Sequence, residues 1–331
     1  MNSGSENMII SVCITTYNLE KYIDKTLETV INQEFEEEYE ILVGDDGSED
    51  NTAGRIQEWV RQYPEKIQLF IMPRDKDKKY NPIYRASQNR IFLAQKAKGK
   101  YITFLDGDDF YIDSKKLKKQ VEILENPLNS DCAMCTHNIN LYFEKNSSEK
   151  PVITEEMGEQ KICPKQYWGE DKLWIHAEAF VFRKCFLTPQ NLENFNLNYF
   201  DDNLIVFFFL KYGKIYYIPD RMVNYRQNIT EWKEKSILEQ HILNAMDLNI
   251  ERRYNSNMTI ASVKRHYSDF KKMFYSRKKL MDDKYKQYVI QAKDRQNKEA
   301  LLFLEYEALG FKGKCKALLV YFIMTVINWG S

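Results

Sequence analysis

The sequence predicts an α/β fold, a mostly parallel central sheet flanked by helices, with a helical extension at its C-terminal end. Three observations carry this prediction. Apolar, β-rich runs alternate with amphipathic helical patterns from Met8 to Leu124, and three of those runs end in turns rich in hydroxyls or carboxylates. From about Glu231 onward the strand signal fades and helical patterns rich in Lys and Arg take over. Strand–helix alternation implies crossover connections and parallel pairing. In such sheets ligands collect beyond the carboxyl ends of the strands.

Element by element, Met8 to Thr15 reads as the first strand. A helix follows with Tyr22, Ile23, Leu27, Val30 and Ile31 on one face. Tyr39 to Val43 is a second strand, the segment around Ile56 to Val60 a helix, Ile67 to Ile71 a third strand and Ala86 to Ala97 a helix. Tyr101 to Leu105 is the fourth strand and Leu117 to Leu124 the next helix. Beyond it Ala133 to Ile139, Ala179 to Arg183 and Lys214 to Ile218 read as strands, and the apolar run Phe200 to Tyr212 as a buried helix. The polar stretches Asn146 to Lys150 and Thr154 to Lys161 read as loops. Ile237 to Tyr254, Val263 to Met281 and Lys284 to Leu309 read as helices. No internal repeat is visible. The expected division is a domain over 1–230 and a helical region over 231–331.

The 331 residues suffice for a sizeable core. With 48 basic and 48 acidic residues the formal charge is zero, so no global field favours nucleic acid. The first seven residues are polar and lack the apolar core of a secretion signal. Of six cysteines, Cys132 and Cys135 form a Cys-x-x-Cys, but no second pair or histidine cluster completes a zinc site. Buried reduced thiols fit that apolar stretch, and a reducing cytoplasm is the expected setting.

Three turns carry candidate chemistry. Tyr101 to Leu105 runs into Asp106-Gly107-Asp108-Asp109, which puts three carboxylates at the end of an apolar strand. Their mutual repulsion and desolvation would be offset by a divalent cation, because hard oxygen ligands suit Mn2+ or Mg2+. A solvated acidic turn is the alternative. Asp45-Asp46-Gly47-Ser48 ends the second strand, where a carboxylate can accept from a base N–H, or where the turn is an ordinary helix entry. Thr15-Thr16-Tyr17-Asn18 ends the first and offers hydroxyls and an aromatic face.

Together, and in this order, the segments Ser11 to Asn18, Ile41 to Ser48 and Gly99 to Asp109 resemble those of the family 2 glycosyltransferases. The resemblance covers roughly residues 8 to 226. It implies a GT-A (Rossmann-like) fold and transfer of a sugar from a nucleotide-sugar donor, most often a UDP-sugar, to an acceptor hydroxyl with inversion. It also implies site roles. Thr15, Tyr17 and Asn18 would frame the nucleoside, and Asp46 would bind the base with Asp45 close by. Asp106 and Asp108 match the family's Asp-x-Asp signature for the ribose and for Mn2+ or Mg2+ at the diphosphate, and Asp109 extends it. The family's basic side chain before that signature falls on Arg85 or Arg90, with Arg85 preferred. The general base falls on Asp202 and the preceding acid on Asp201, where the family more often has Glu. Helix capping is the plain alternative for that pair. Trp174, His176 and Glu178 lie in the region that faces the acceptor, a saccharide or lipid-linked saccharide. Arg226 would reach the diphosphate or pair with a surface acid.

Ala317 to Trp329 is strongly apolar and follows Lys312, Lys314 and Lys316. At about 13 residues it is too short to span a bilayer, which needs about 20. In-plane contact at the inner face of the plasma membrane, a buried helix and a homodimer contact all fit it. Two rival functions stay open: a non-catalytic nucleotide-sugar-binding subunit, and a nucleotidyltransferase. The second would want a glycine-rich phosphate loop that Thr15 to Asn18 does not supply.

Overall fold

The computed structural model describes residues 8–74, 82–154, 157–169, 175–194, 200, 202–227, 235–254, 259–294 and 297–329. They fall into two compact units, 1–163 with 172–228, and 164–171 with 229–331.

The first unit is built on one ten-stranded mixed sheet. Its strands are β1 Ile10–Thr16, β2 Tyr39–Asp45, β3 Ile67–Ile71, β4 Tyr101–Asp106, β5 Phe110–Tyr111, β6 Cys132–Phe143, β7 Ser148–Pro151, β8 Gln160–Ile162, β9 Val181–Arg183 and β10 Lys214–Arg226. The helices interleaved with them are α1 Ile23–Ile31, α2 Thr52–Gln62, α3 Pro82–Lys96 and α4 Lys116–Glu125. Spatial order is β3-β2-β1-β4-β9-β6-β10-β5, with β7 on β6 and β8 on β10. The first four strands are parallel, as the strand–helix alternation requires. β9 then runs antiparallel to both β4 and β6, and β6 pairs parallel with β10. β1 and β2 are buried at every position, which explains their unbroken apolar runs. The core gathers Val12, Ile14, Leu27, Ile41, Val43 and Leu105 with the inner face of α4.

Two stretches expected as loops contain strand. β7 pairs with the end of β6, and β8 pairs with the start of β10. Both are polar because they add to an existing strand and bury little of their own surface. β10 is longer than its apolar start suggested, for its register shifts around Pro219 let it bend and continue to Arg226. Between β9 and β10 the chain passes through α6 Pro189–Asn194 and α7 Asp202–Leu210, the latter buried along most of its length.

The second unit is helical: α5 Pro164–Gly169, α8 Ile237–Tyr254, α9 Thr259–Tyr275, α10 Lys286–Asp294, α11 Lys298–Leu304 and α12 Phe311–Trp329. Ile242, Met246, Phe270, Met273, Phe303 and Met324 lie in its core. The single helix expected over 284–309 is broken, because buried Asn297 caps α11, accepting from the Ala300 N–H at 2.8 Å and donating to the Met246 carbonyl at 2.8 Å. Among the described residues no helix is long and apolar enough to cross a membrane. Cys132 and Cys135 are buried free thiols.

Candidate active site

Sheet order and register assemble the site. β1 lies between β2 and β4, Thr15 opposite Asp106 and Thr16 opposite Asp45, so three motifs far apart in sequence end at one edge. The Thr15 hydroxyl donates to Asp106 Oδ1 at 2.6 Å, and the Asp46 N–H donates to the Thr16 carbonyl at 2.9 Å. Asn18, with a left-handed φ of 54°, donates its N–H to Ser48 Oγ and accepts from the Glu49 N–H at 2.8 Å. Gly47 takes φ 73°, and a side chain there would run into the Met72 carbonyl.

At the Asp46 end the Arg74 guanidinium lies 3.7 Å over the partly exposed Tyr17 ring. Arg74 also pairs with Asp46 at 2.5 Å and donates to its carbonyl at 2.7 Å. Arg85 pairs with the other Asp46 oxygen, so this buried carboxylate is held by two guanidiniums. Asp45 is turned inward and accepts from both the hydroxyl and the N–H of Ser48. It shapes the turn and presents no oxygen outward.

The other end centres on Asp106. Arg90 donates to both of its oxygens at 3.0 Å and reaches Asp202 at 3.8 Å. Arg85, preferred on sequence, sits instead on Asp46, five residues earlier on α3, and so on a different helix face. Burial acts to raise the Asp106 carboxyl, but Arg90 and the Thr15 hydroxyl outweigh it and hold it below its ordinary value.

Asp109 is completely buried. Its Oδ1 accepts from the Arg226 N–H at 2.6 Å, and its Oδ2 has no hydrogen-bond partner among the described residues. Burial, then the charges of Asp108 and Asp106, push it well above the usual carboxylate range. Of the two expectations for Arg226, the structure shows the pair with a surface acid, Glu144. Arg226 is buried among the rings of Tyr22, Phe110 and Tyr142, pairs with Glu144 at 3.0 Å and donates to the Asp108 carbonyl at 2.8 Å, bracing the acidic turn.

Glu178 is also completely buried, on a short 3-10 turn, Ala177–Ala179, before β9. Carboxylate oxygens of Asp106, Asp109 and Glu178 lie within 4.8 Å of one another, close enough to share a cation. The Asp108 carboxylate is not in that group. Glu178, expected in the acceptor region, is buried and faces the acidic turn. His176 contacts Glu178 through Nδ1 and lies 3.5 Å from Asp202 Oδ2 through Nε2, with the Tyr225 ring tilted against it at 4.2 Å between centroids. Burial holds this imidazole below its ordinary range despite the Asp202 and Asp106 carboxylates. Asp202 opens α7. Trp174 and Asp201 lie outside the described residues.

Sequence reasoning missed Glu178 as part of the carboxylate group and Arg74 as the partner of Asp46 and Tyr17. Arg74 had a visible signal, a base just after a strand next to the motif-bearing strand. Glu178 had none.

The profile of glycosyl transferase family 2 matches residues 11–186, more than half of the chain. The chain belongs to this family. An uncharacterised glycosyltransferase of Methanocaldococcus jannaschii is 28% identical over 177 residues, 53% of this chain and 56% of that protein. An uncharacterised protein of Mycobacterium bovis is 30% identical over 152 residues, 44% of this chain and 40% of its own. The chain thus spans about half the length, or less, of the curated relatives it matches. Among solved structures, S. aureus TarS 1–349 in complex with UDP-GlcNAc superposes with a TM-score of 0.59 at 17% identity, covering 97% of this chain and 90% of that chain. The mannosyltransferase PcManGT from Pyrobaculum calidifontis, in complex with GDP-Man and Mn2+, gives 0.52 at 14% identity, covering 98% and 87%. At these identities the likeness establishes the GT-A fold, and this family 2 chain carries its motifs on the strand ends that fold predicts.

Proposed function

We propose that the protein is a metal-dependent inverting glycosyltransferase, moving a sugar from a nucleotide-diphospho-sugar, a UDP-sugar first among them, to an acceptor hydroxyl in cell-surface glycan synthesis. The observation that carries this reading is the shared guanidinium of Arg90, which joins Asp106 at the donor motif to Asp202 at the proposed base. Donor and acceptor chemistry therefore meet within one side chain's reach.

The residues fit a divalent cation. Asp109 has a buried oxygen without a hydrogen bond, and two further carboxylates lie within 4.8 Å. Asp106, Asp109 and Glu178 would hold it, with Asp108 at the more exposed edge of the turn. When bound, Mn2+ or Mg2+ screens the diphosphate and stabilises it as a leaving group. Tyr17 and Asp46 bind the nucleoside, the ring stacking on the base and the carboxylate accepting a base N–H. Arg74 and Arg85 hold Asp46 in place, one on each oxygen. Asp202 takes the acceptor hydroxyl proton as that oxygen attacks the anomeric carbon, and His176 and Arg90 hold the carboxylate in place.

The test is nucleotide release from a panel of UDP-, GDP- and dTDP-sugars with Mn2+ and candidate saccharide acceptors. Metal-dependent release is expected for one donor, and donor binding with no turnover on any acceptor would overturn the reading in favour of a non-catalytic subunit. Asp202→Asn is expected to keep donor affinity and lose transfer by about 10²–10⁴-fold. Transfer at the parent rate would show that Asp202 is not the base.

A further inference from the structure

The helix α12 is largely apolar on its outer side as well as on its inner one. Its inner side packs within the helical unit through Ala317 and Met324, both buried, with Val320 and Tyr321 against them. Tyr321 stacks on Phe274 at 4.6 Å. Its outer side should be polar in a helix that meets only water. Instead Phe311 is 84% exposed, Leu319 57%, Phe322 64% and Ile323 47%, with Leu318 beside them. Tyr275, on α9, is exposed next to this side, its hydroxyl 3.4 Å from that of Tyr321.

The charge on the same side is of one sign. Lys312 and Lys316 are exposed, one turn apart, while Lys314 is taken up by Glu307 at 3.5 Å. The sequence has no Asp or Glu after Glu307. A second copy of the chain seated helix to helix on α12 would meet these lysines with lysines, since Phe311–Trp329 holds no Asp or Glu. An anionic lipid surface answers both features, giving phosphates to the lysines and an acyl boundary to the rings and aliphatic side chains. We propose that the outer face of α12 is a lipid-docking surface, lying on an anionic bilayer with Lys312 and Lys316 at the headgroups and Leu319, Phe322 and Ile323 below them. This surface is independent of the transferase reading and stands whether or not that reading holds.

The test is co-sedimentation of the full chain with vesicles of phosphatidylcholine alone and of phosphatidylcholine mixed with phosphatidylglycerol, at low and high salt. Binding to the mixed vesicles, weakened by salt, is expected. Lys312→Gln and Lys316→Gln should each weaken it about fivefold. Leu319→Asp with Phe322→Asp should abolish it while helix content by circular dichroism and UDP binding stay at parent values. If that double variant loses helix content, the variants at the exposed Lys312 and Lys316 decide the matter. Binding that ignores phosphatidylglycerol, or no binding, overturns the proposal. So does a dimer in light scattering that Phe322→Asp splits in a chain that ignores vesicles, which would assign the face to a second copy.

Discussion

Asp46 and Asp109 are both buried aspartates just past strands that flank β1, yet they are balanced in opposite ways. Asp46 has Arg74 on one oxygen and Arg85 on the other. Asp109 has one backbone N–H, an oxygen without a hydrogen bond, and Asp106 and Glu178 for company. The Asp46 end is electrostatically complete in the protein alone. The Asp109 end is short of positive charge, since Arg90 answers Asp106 and Asp202, the Arg226 guanidinium pairs with Glu144, and Glu178 has the imidazole of His176 beside it. In a medium of low effective dielectric such a surplus is costly, and a divalent cation is the group that removes it.

The largest effect that would break this contrast comes from the acidic end. Asp106→Asn is expected to abolish the part of UDP affinity that EDTA also removes, about 10–100-fold, measured by titration calorimetry with and without Mn2+. Should EDTA weaken the variant as much as the parent, the cation is held elsewhere. A smaller effect is expected at the other end. Arg85→Ala leaves Asp46 half-neutralised, and UDP affinity should fall by about 1–3 kcal/mol equally with and without Mn2+. A loss confined to the metal-loaded protein would mean that the two ends are not separate.

The smallest effect tests how the fold treats a buried charge of the other sign. Lys116 is completely buried on α4, its Nζ 2.9 Å from Gln120 Oε1 and 4.5 Å from the Tyr111 ring, and burial pushes it down to about 7 despite Cys135 and Asp113. An unfolded chain keeps that proton to about pH 10, the folded chain only to about 7. The unfolded state therefore binds more protons between the two, and stability rises with pH across that window. Lys116→Met should raise the melting temperature near pH 7, and the gain should shrink toward pH 10. A gain of constant size across that range would show that Lys116 is charged in the folded state.

Much of the fold was legible because its core strands are buried on both faces. β2, β3 and β4 lie within one or two residues of where their apolar runs placed them, and α4 and α8 are where their helical patterns set them. What escaped was whatever owes its form to a neighbour. β7 and β8 are polar and exist by pairing, and α11 is separated from α10 by a cap whose buried partners lie on α8.

The site divides in the same way. The residue types and spacing of Thr15, Asp46, Asp106 and Asp202 are local properties of strand and helix ends, and the sequence by itself determined them. Which arginine meets which carboxylate was decided by the rotation of α3, which sends Arg85 to Asp46 and Arg90 to Asp106. Glu178 reaches Asp109 only because β9 runs antiparallel beside β4 and sets the turn before it against the acidic loop. A strand can advertise its own end in sequence. Pairing between strands about eighty residues apart depends on sheet order, which is set by packing of the whole core.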